Sequence, residues 1–450
     1  MAEHYSDSRR RRNTTRRHAI AAMILIPAAA IGGCVAVKQL SGNGFSLLPE
    51  SDTDTDAGSD AGTDAEDAQN TDESTSQESE LGRKVEEKLG QMTLEQKAAQ
   101  LFVVRPEALT GVGQVIAAGD ATREALEKMP VGGIVYFAAN LQDADQTRTM
   151  LQTTQQYAHD IEGMPLFLAV DEEGGTVSRV GGNSGFDIPN VGDMCDVGAT
   201  GDTNKAYEVA QTIAGYLTDL GFNLDFAPDA DIANTSSTTM QQRSFGSSAS
   251  VVAPMVSAQV KGFLDGKILC AAKHFPGIGG AEGDSHDSMI YTQKTLAEME
   301  DEELVPFESA ISAGVPFVMV GHLSCPQVTG TDDPASVSSD IITGILREQI
   351  GYDRIAITDS MGMGAITDSI ADDQAAVRAI RAGADMVLMP NDLSAAYQGL
   401  LDAVQNGTIT EDRFNESVMR ILRVKLGCMA DDGSITDGYA VSSETSGTGN

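Results

Sequence analysis

Eight short, almost wholly apolar runs recur along the chain with amphipathic stretches between them, and this succession constrains the fold more than any other feature. They are residues 101–104 (LFVV), 132–137 (GGIVYF), 166–171 (LFLAVD), 223–228 (NLDFAP), 268–275 (ILCAAKHF), 317–322 (FVMVGH), 354–359 (RIAITD) and 386–390 (MVLMP). A strand with one face in water alternates apolar and polar residues. These runs mostly do not, so they read as strands covered on both faces. The stretches between them carry helix signals: residues 203–221 open on a capping residue and close on glycine, and residues 338–351 do the same. Eight β/α units predict an α/β fold, a single (β/α)8 TIM barrel whose working groups gather at the carboxyl ends of the strands.

Polar residues stand at those ends. They are Asp171, Asp231 shortly after its strand, the pair Lys273–His274, His322, Asp359 and the pair Asn391–Asp392. Any one of them has a local explanation as a helix cap or turn residue. As a set they point to a site. Asp359 follows four β-competent residues and precedes a βα turn, so it is a nucleophile, a general base or a helix cap, with Ser360 as the alternative cap. In "LAVDEEGGTVSRV", Asp171 is followed by two further acids, a glycine pair that implies positive φ or close backbone approach, and Arg179. Aspartate accepts hydrogen bonds from sugar hydroxyls, and arginine presents a fork of donors. "QQRSFG" adds Arg243 on the loop after the fourth strand.

The stretch "AAKHFPGIGGAEGDSHDSM" places two of the chain's six histidines around a glycine-rich loop. Lys273 and His274 lie at the strand end, and Asp284 and His286 lie on the loop beyond. The i, i+2 spacing lets the Asp284 carboxylate meet the His286 imidazole, fix its tautomer and raise its basicity, which suits general acid/base work. Two other readings stay open: that Asp284–His286 caps a helix, and that Lys273 forms a Schiff base.

Composition excludes several classes. A formal net charge of −36 argues against nucleic acid as a partner, since phosphate binding needs clustered Lys and Arg. The five cysteines show no CxxC and no metal-ligand spacing, and Cys270 and Cys325 sit in apolar runs as small core residues. With no tryptophan, a flat polysaccharide-binding surface of indole platforms is excluded. Residues 1–37 read as a signal peptide or membrane anchor: a basic stretch with Arg9–Arg12 and Arg16–Arg17, then an apolar run ending near Cys34. "AIGGC" resembles a lipobox, in which Cys34 is lipidated. Retained whole, the run is near the ~20 residues that span a bilayer. Both readings put the body outside the cytoplasm, attached to the membrane through the N-terminus. Residues 38–82 read as an acidic, disordered linker, 83–429 as the folded body and 430–450 as a disordered tail.

The body resembles the family 3 glycoside hydrolases, in particular the single-barrel bacterial β-N-acetylglucosaminidases (β-N-acetylhexosaminidases) of cell-wall turnover. The resemblance runs in order from "MTLEQKAAQLFVV" through "VDEEGG", "FAPDADI", "QQRSFG", "KHFPGIGGAEGDSH" and "AITDSMGMGAI" to "RILRVKLG". It implies Asp359 as nucleophile, His286 as loop-borne acid/base and Asp284 as its partner. It implies Asp171, Arg179, Arg243, Lys273 and His274 as residues that hold the sugar, with Asp231 near them. It implies a retaining, exo-acting enzyme on N-acetylglucosamine-containing glycans that needs no metal or organic cofactor; the chain is expected to be a monomer. Two departures stand out: Ile278, Gly280 and Ala281 replace the His, Asp and Thr of the family's usual loop, and Thr176 replaces an Arg. Phosphorolysis stays open, because a neutral histidine repels an anionic acceptor less than a carboxylate does. A β-glucosidase or β-xylosidase is the other enzymatic alternative. Relatives of that kind carry a second domain, whereas the body here reads as ending near Cys428. A non-catalytic sugar-binding lipoprotein is the alternative of another class.

Overall fold

The computed structural model describes residues 64–281, 285 and 288–436, with side chains from Glu78. The signal segment, Cys34, residues 38–63, Asp284, His286 and residues 437–450 lie outside the described residues. All eight expected strands form: β1 (Phe102–Val104), β2 (Gly133–Val135), β3 (Phe167–Val170), β4 (Leu224–Asp225), β5 (Leu269–Phe275), β6 (Phe317–Val320), β7 (Ile355–Thr358) and β8 (Val387–Leu388). They pair in parallel in chain order, and β8 returns to pair with β1. A parallel bridge between Ile357 and Met386 joins β7 to β8 and closes the barrel.

Asp385, just before β8, latches that seam. Its Oδ2 accepts the Ala356 amide (3.0 Å) and Arg347 Nη2 (2.5 Å), and its Oδ1 accepts Ser417 Oγ (2.8 Å) and Arg420 Nη1 (3.2 Å). Burial alone would raise its pKa, but Arg347, Arg420 and Arg413 outweigh it and hold the carboxyl below the usual range.

At the amino-terminal end the barrel interior is filled by Phe167 and Phe317, edge to face at 5.2 Å. Lys425, from the last helix (Glu411–Cys428), lies 5.0 Å from the Phe167 ring and donates to Gln100 Oε1 at 2.8 Å. Burial pushes this ammonium down to about 7. In the unfolded chain the group binds its proton up to about 10.5. The folding penalty is therefore full below about pH 7 and lifts as pH rises toward 10.5. Lys425→Met is expected to stabilise the fold at pH 7 by about 1–2 kcal/mol, the gain being reduced by the donor that Gln100 loses. Chemical denaturation at pH 7 and pH 10 checks this. The gain should vanish or reverse at the higher pH.

Two boundaries differ from the sequence reading. A helix runs Asp64–Gln91 and so begins inside the expected linker. Its C-terminal half packs Val85 into the core and Leu81 against Gly427 of the last helix, which the acidic composition upstream concealed. Residues 430–436 are also ordered, against the tail expectation. Met429 bridges Ile435, and the buried Asn223 holds the turn by donating to the Gly433 carbonyl (3.0 Å) while also bonding Leu166, just before β3, and Leu168 within it. The expected helix over 338–351 forms as a π-helical segment, Asp340–Gln349. Among the described residues, no helix is long and apolar enough to cross a membrane.

Candidate active site

The loops at the carboxyl ends of β3, β4, β5 and β7 bring most of the expected residues together. Lys273 stands near the end of β5, where its stem is covered by the barrel. Its Nζ donates to Asp171 Oδ1 (2.8 Å) and lies 2.7 Å from Glu173 Oε1. Arg243, the last residue of a short helix after β4 (Thr238–Arg243), closes a two-pronged pair on Glu173: Nε to Oε2 and Nη2 to Oε1, both 2.7 Å. Glu173 thus bridges the two cations. Burial would raise its pKa, but Arg243 and Lys273 overcome this and pull it far below the carboxylate range. Burial likewise pushes the Lys273 ammonium down, yet Asp171 and Glu173 more than reverse it. Two carboxylates on its Nζ hold Lys273 as a cation, which argues against the Schiff-base reading, because that chemistry needs a free amine.

His274 follows on the same strand. Its Nδ1 meets Asp231 Oδ2 at 2.7 Å, and its Nε2 lies 3.4 Å from Arg243 Nη2. Burial lowers the imidazole pKa, but the bond to Asp231 outweighs it, so the value ends above 6.5. The stability this raised pKa confers is present in full below 6.5 and is lost as pH rises through the folded value. Asp231→Asn is expected to bring the His274 pKa below 6.5. The stability gap between the two proteins should narrow from pH 6.5 to 8. Imidazole titration by NMR and denaturation across that range check both.

Asp229, Asp231 and His274 each bring a ligand-type atom to within 4.8 Å of the others. Asp231 is engaged by His274, by the Ile278 amide (2.6 Å) and by the His274 amide (3.3 Å), and Asp229 Oδ1 by the Asp231 amide (2.9 Å), while Asp229 Oδ2 lies 3.4 Å from Arg243 Nη2 and makes no hydrogen bond among the described residues. Burial, with the charge of Asp231 second, pushes Asp229 up to about 7. The cluster reads as a hydrogen-bond network that holds His274.

Asp359 leaves β7 with its amide donating to the Val320 carbonyl (2.8 Å) and its Oδ1 accepting the Ser360 amide (2.7 Å). Burial would raise this carboxyl, but His274 and His322 outweigh it and keep its pKa below the usual value. The residue is partly exposed at the barrel mouth. Ser360 is not the cap of the next helix, Gly364–Thr367, whose N-cap is Met363. The Ser360 carbonyl instead bonds His322 Nε2 (2.9 Å), and His322 Nδ1 meets Ser336 Oγ (2.8 Å). His322 therefore positions the turn that carries Asp359. The pair at the end of β8 is local: Asp392 caps the following helix through the Ala395 amide, and the Asn391 amide bonds Asp372.

Among the described residues Arg179 makes no hydrogen bond or ion pair with the Lys273–Glu173–Arg243 network; its guanidinium lies 5.7 Å from the Phe137 ring and its Nε has no hydrogen-bond partner. What shapes its loop is Glu172, which the sequence reading passed over. The buried carboxylate accepts the amides of Arg179 (2.6 Å), Val180 (3.0 Å) and Gly181 (2.8 Å) and the Tyr216 hydroxyl (2.9 Å). The glycine pair behaves as expected, with φ of +95° at Gly174 and +52° at Gly175, where a Cβ would strike Asp193. Thr176 is exposed. The substituted loop segment is tied down rather than loose. Asp231 holds the Ile278 amide, the Asn234 amide donates to the Gly279 carbonyl (3.0 Å), and the Ala281 amide donates to Ile278 (3.0 Å).

Residues 85–424 match the Glycosyl hydrolase family 3 N terminal domain. The chain is 30% identical over 328 residues to a beta-hexosaminidase A from Pseudoalteromonas piscicida, covering 67% of this chain and 54% of that protein. A family 3 β-N-acetylglucosaminidase from Paenibacillus sp. str. FPU-7 superposes with a TM-score of 0.69 at 36% identity, over 74% of this chain and 62% of that one. A β-N-acetylhexosaminidase from Beutenbergia cavernae DSM 12333 superposes with a TM-score of 0.65 at 27% identity, over 74% of this chain and 98% of that one. The chain thus spans little more than half the length of the first of these relatives.

Proposed function

The chain belongs to glycosyl hydrolase family 3, and from that premise we propose that it is a retaining exo-β-N-acetylhexosaminidase that releases terminal N-acetylglucosamine from glycans such as peptidoglycan fragments. The observation that carries this reading is Asp359, an ionised carboxylate partly exposed at the barrel mouth and flanked by His274 and by the Asp171–Lys273–Glu173–Arg243 network. That network presents fixed donors and acceptors suited to sugar hydroxyls. The names and structures of the relatives support the N-acetylhexosaminide class.

In the first step Asp359 attacks the anomeric carbon. The bond from that carbon to the leaving oxygen breaks, and His286 gives this oxygen its proton. In the second step a water passes a proton back to His286 and displaces Asp359 from the anomeric carbon. The two inversions together retain configuration. Asp284 fixes the His286 tautomer and supports its charged form.

The test is incubation with a 5-fluoro N-acetylglucosaminide followed by mass mapping. Label on Asp359 is expected. Label elsewhere, or no hydrolysis of an aryl β-N-acetylglucosaminide, overturns the reading. Product analysis with added phosphate separates hydrolysis from phosphorolysis. We also propose attachment to the outer face of the cell membrane through Cys34 or the apolar run preceding it. Fatty-acid labelling that Cys34→Ala abolishes is expected if Cys34 carries the anchor, whereas membrane retention with no such label in wild type assigns the anchor to the apolar run.

A further inference from the structure

A cavity of about 370 Å³ opens at the carboxyl end of the barrel between the loops that follow β5, β6 and β7. Its wall includes Met289, Tyr291, Asp332, Asp333, Asp368 and Arg378. We propose that this cavity is the leaving-group subsite, and that it favours aglycones carrying a primary ammonium over those carrying a carboxylate. The proposal rests on the hexosaminidase reading and adds the leaving-group class.

Position argues for it first. The proton of the first step goes to the aglycone oxygen, so acid and aglycone must be neighbours. Met289 and Tyr291 follow three and five residues after His286. The sugar-holding groups come from the β3, β4 and β5 loops, and this cavity lies beside them, between the loops after β5, β6 and β7. Its walls are also tied to the nucleophile's turn. Ile290–Tyr291 pair with Leu323–Ser324, and Ser324 bridges Pro334. Ser336, two residues on, holds His322, which in turn holds the Ser360 carbonyl beside Asp359. The Ala365 amide donates to the Ser285 carbonyl at 3.3 Å, linking the β7 loop to the β5 loop.

Chemistry argues second. Tyr291 is 45% exposed, one of three large apolar side chains so placed among the described residues, and its ring offers the wall a flat face. Aromatic faces stack on the C–H side of a sugar ring, and a phenol edge bonds its hydroxyls. Three carboxylates and one guanidinium share the wall. Arg378 is committed to Asp333 at 2.7 Å, which leaves Asp332 and Asp368 as the wall's carboxylates without a cation partner among the described residues. Their field attracts an ammonium and repels a carboxylate. Both are exposed, so the selectivity is moderate and weakens with salt.

The test uses the full chain and three disaccharides, N-acetylglucosamine joined β1,4 to glucosamine, to N-acetylglucosamine or to glucuronic acid. Each rate is divided by the same preparation's rate on an aryl β-N-acetylglucosaminide, so differences in folded fraction cancel. The expected order of kcat/KM is amine, neutral, carboxylate, with about tenfold between the extremes at low salt and less at 0.5 M salt. Asp332→Asn with Asp368→Asn should bring the extremes to within about twofold, and Asp332→Lys with Asp368→Lys should invert the order. Tyr291→Ala should lower all three normalised rates by about fivefold or more. A wild-type enzyme that cleaves the aryl glycoside but shows no order among the disaccharides overturns the subsite alone. So does an order that survives both double variants. An enzyme inert to the aryl glycoside overturns the hexosaminidase reading, and this proposal with it.

Discussion

Replacing Asp359 by Ala or Gly is expected to lower kcat on an aryl β-N-acetylglucosaminide by about 10⁴-fold or more, with little loss of folded protein. The size follows from its place in the reaction: without it no covalent intermediate forms, and water must attack unassisted by a preformed nucleophile. The fold should tolerate the change. Asp359 is partly exposed, its amide bond to Val320 belongs to the backbone, and its side chain bonds only the next residue's amide among the contacts described. Azide gives the sharper readout. In Asp359→Gly it can enter the vacated space and attack once, giving the α-glycosyl azide. In His286→Ala, where a good leaving group still allows the first step, azide attacks the glycosyl-enzyme and gives the β-azide. The same anomer from both variants, or kcat for Asp359→Ala within about tenfold of wild type, would contradict the assignment. Asp359 sits below the usual carboxylate pKa, so ionisation of the nucleophile should not limit the rate near neutrality.

The barrel was legible because its information is local. Parallel strands wrapped in helices must be apolar on both faces, and eight such runs in chain order admit few topologies. Where the signal shortened, reading failed. The ribbon formed by Ile290–Tyr291 and Leu323–Ser324 has two residues on each side, too few to show any period. The ordered turn at 430–436 depends on Asn223, some 210 positions away, and nothing in "ADDGSIT" announces that partner. The site divides in the same way. Lys273, His274 and Asp359 announce themselves as ionisable groups at the ends of apolar runs. Glu172 and Glu173 follow one such run, but their roles come from Tyr216 and from Arg243 and Lys273, which lie 44, 70 and about 100 residues further on. Asn391 and Asp392 show the converse: polar residues at a strand exit that serve only their own helix and its neighbour. A strand-end position therefore finds candidates, and only long-range pairing sorts them.

That sorting gives Glu173 the second large effect. Glu173→Gln keeps the shape and removes the charge between Lys273 and Arg243, so two buried cations lose their shared partner. Breaking a buried pair from one side usually costs about 3–5 kcal/mol. Here two groups soften the loss. Lys273 keeps Asp171 at 2.8 Å, and Arg243 keeps Asp229 at 3.4 Å. Asp229 is held up near 7 by burial, by Asp231 and partly by Glu173 itself, so removing that charge lets it ionise more readily and compensate Arg243. A destabilisation of about 2–3 kcal/mol is therefore expected, with kcat/KM down about 100-fold as the sugar-holding cations lose their fixed geometry. The pH dependence separates this from a mere packing defect. Because the folded pKa of Glu173 lies below its ordinary 4.5, its stabilising contribution is complete above 4.5 and disappears as pH falls through the folded value. The gap in unfolding free energy between wild type and Glu173→Gln should widen somewhat as pH falls from 8 to about 5, where Asp229 takes up its proton more readily in wild type, and should narrow below about 4.5 as the Glu173 contribution is lost. A gap that persists unchanged at pH 3, or a variant with wild-type stability and kcat/KM within about threefold, would show that Glu173 does not bridge the two cations.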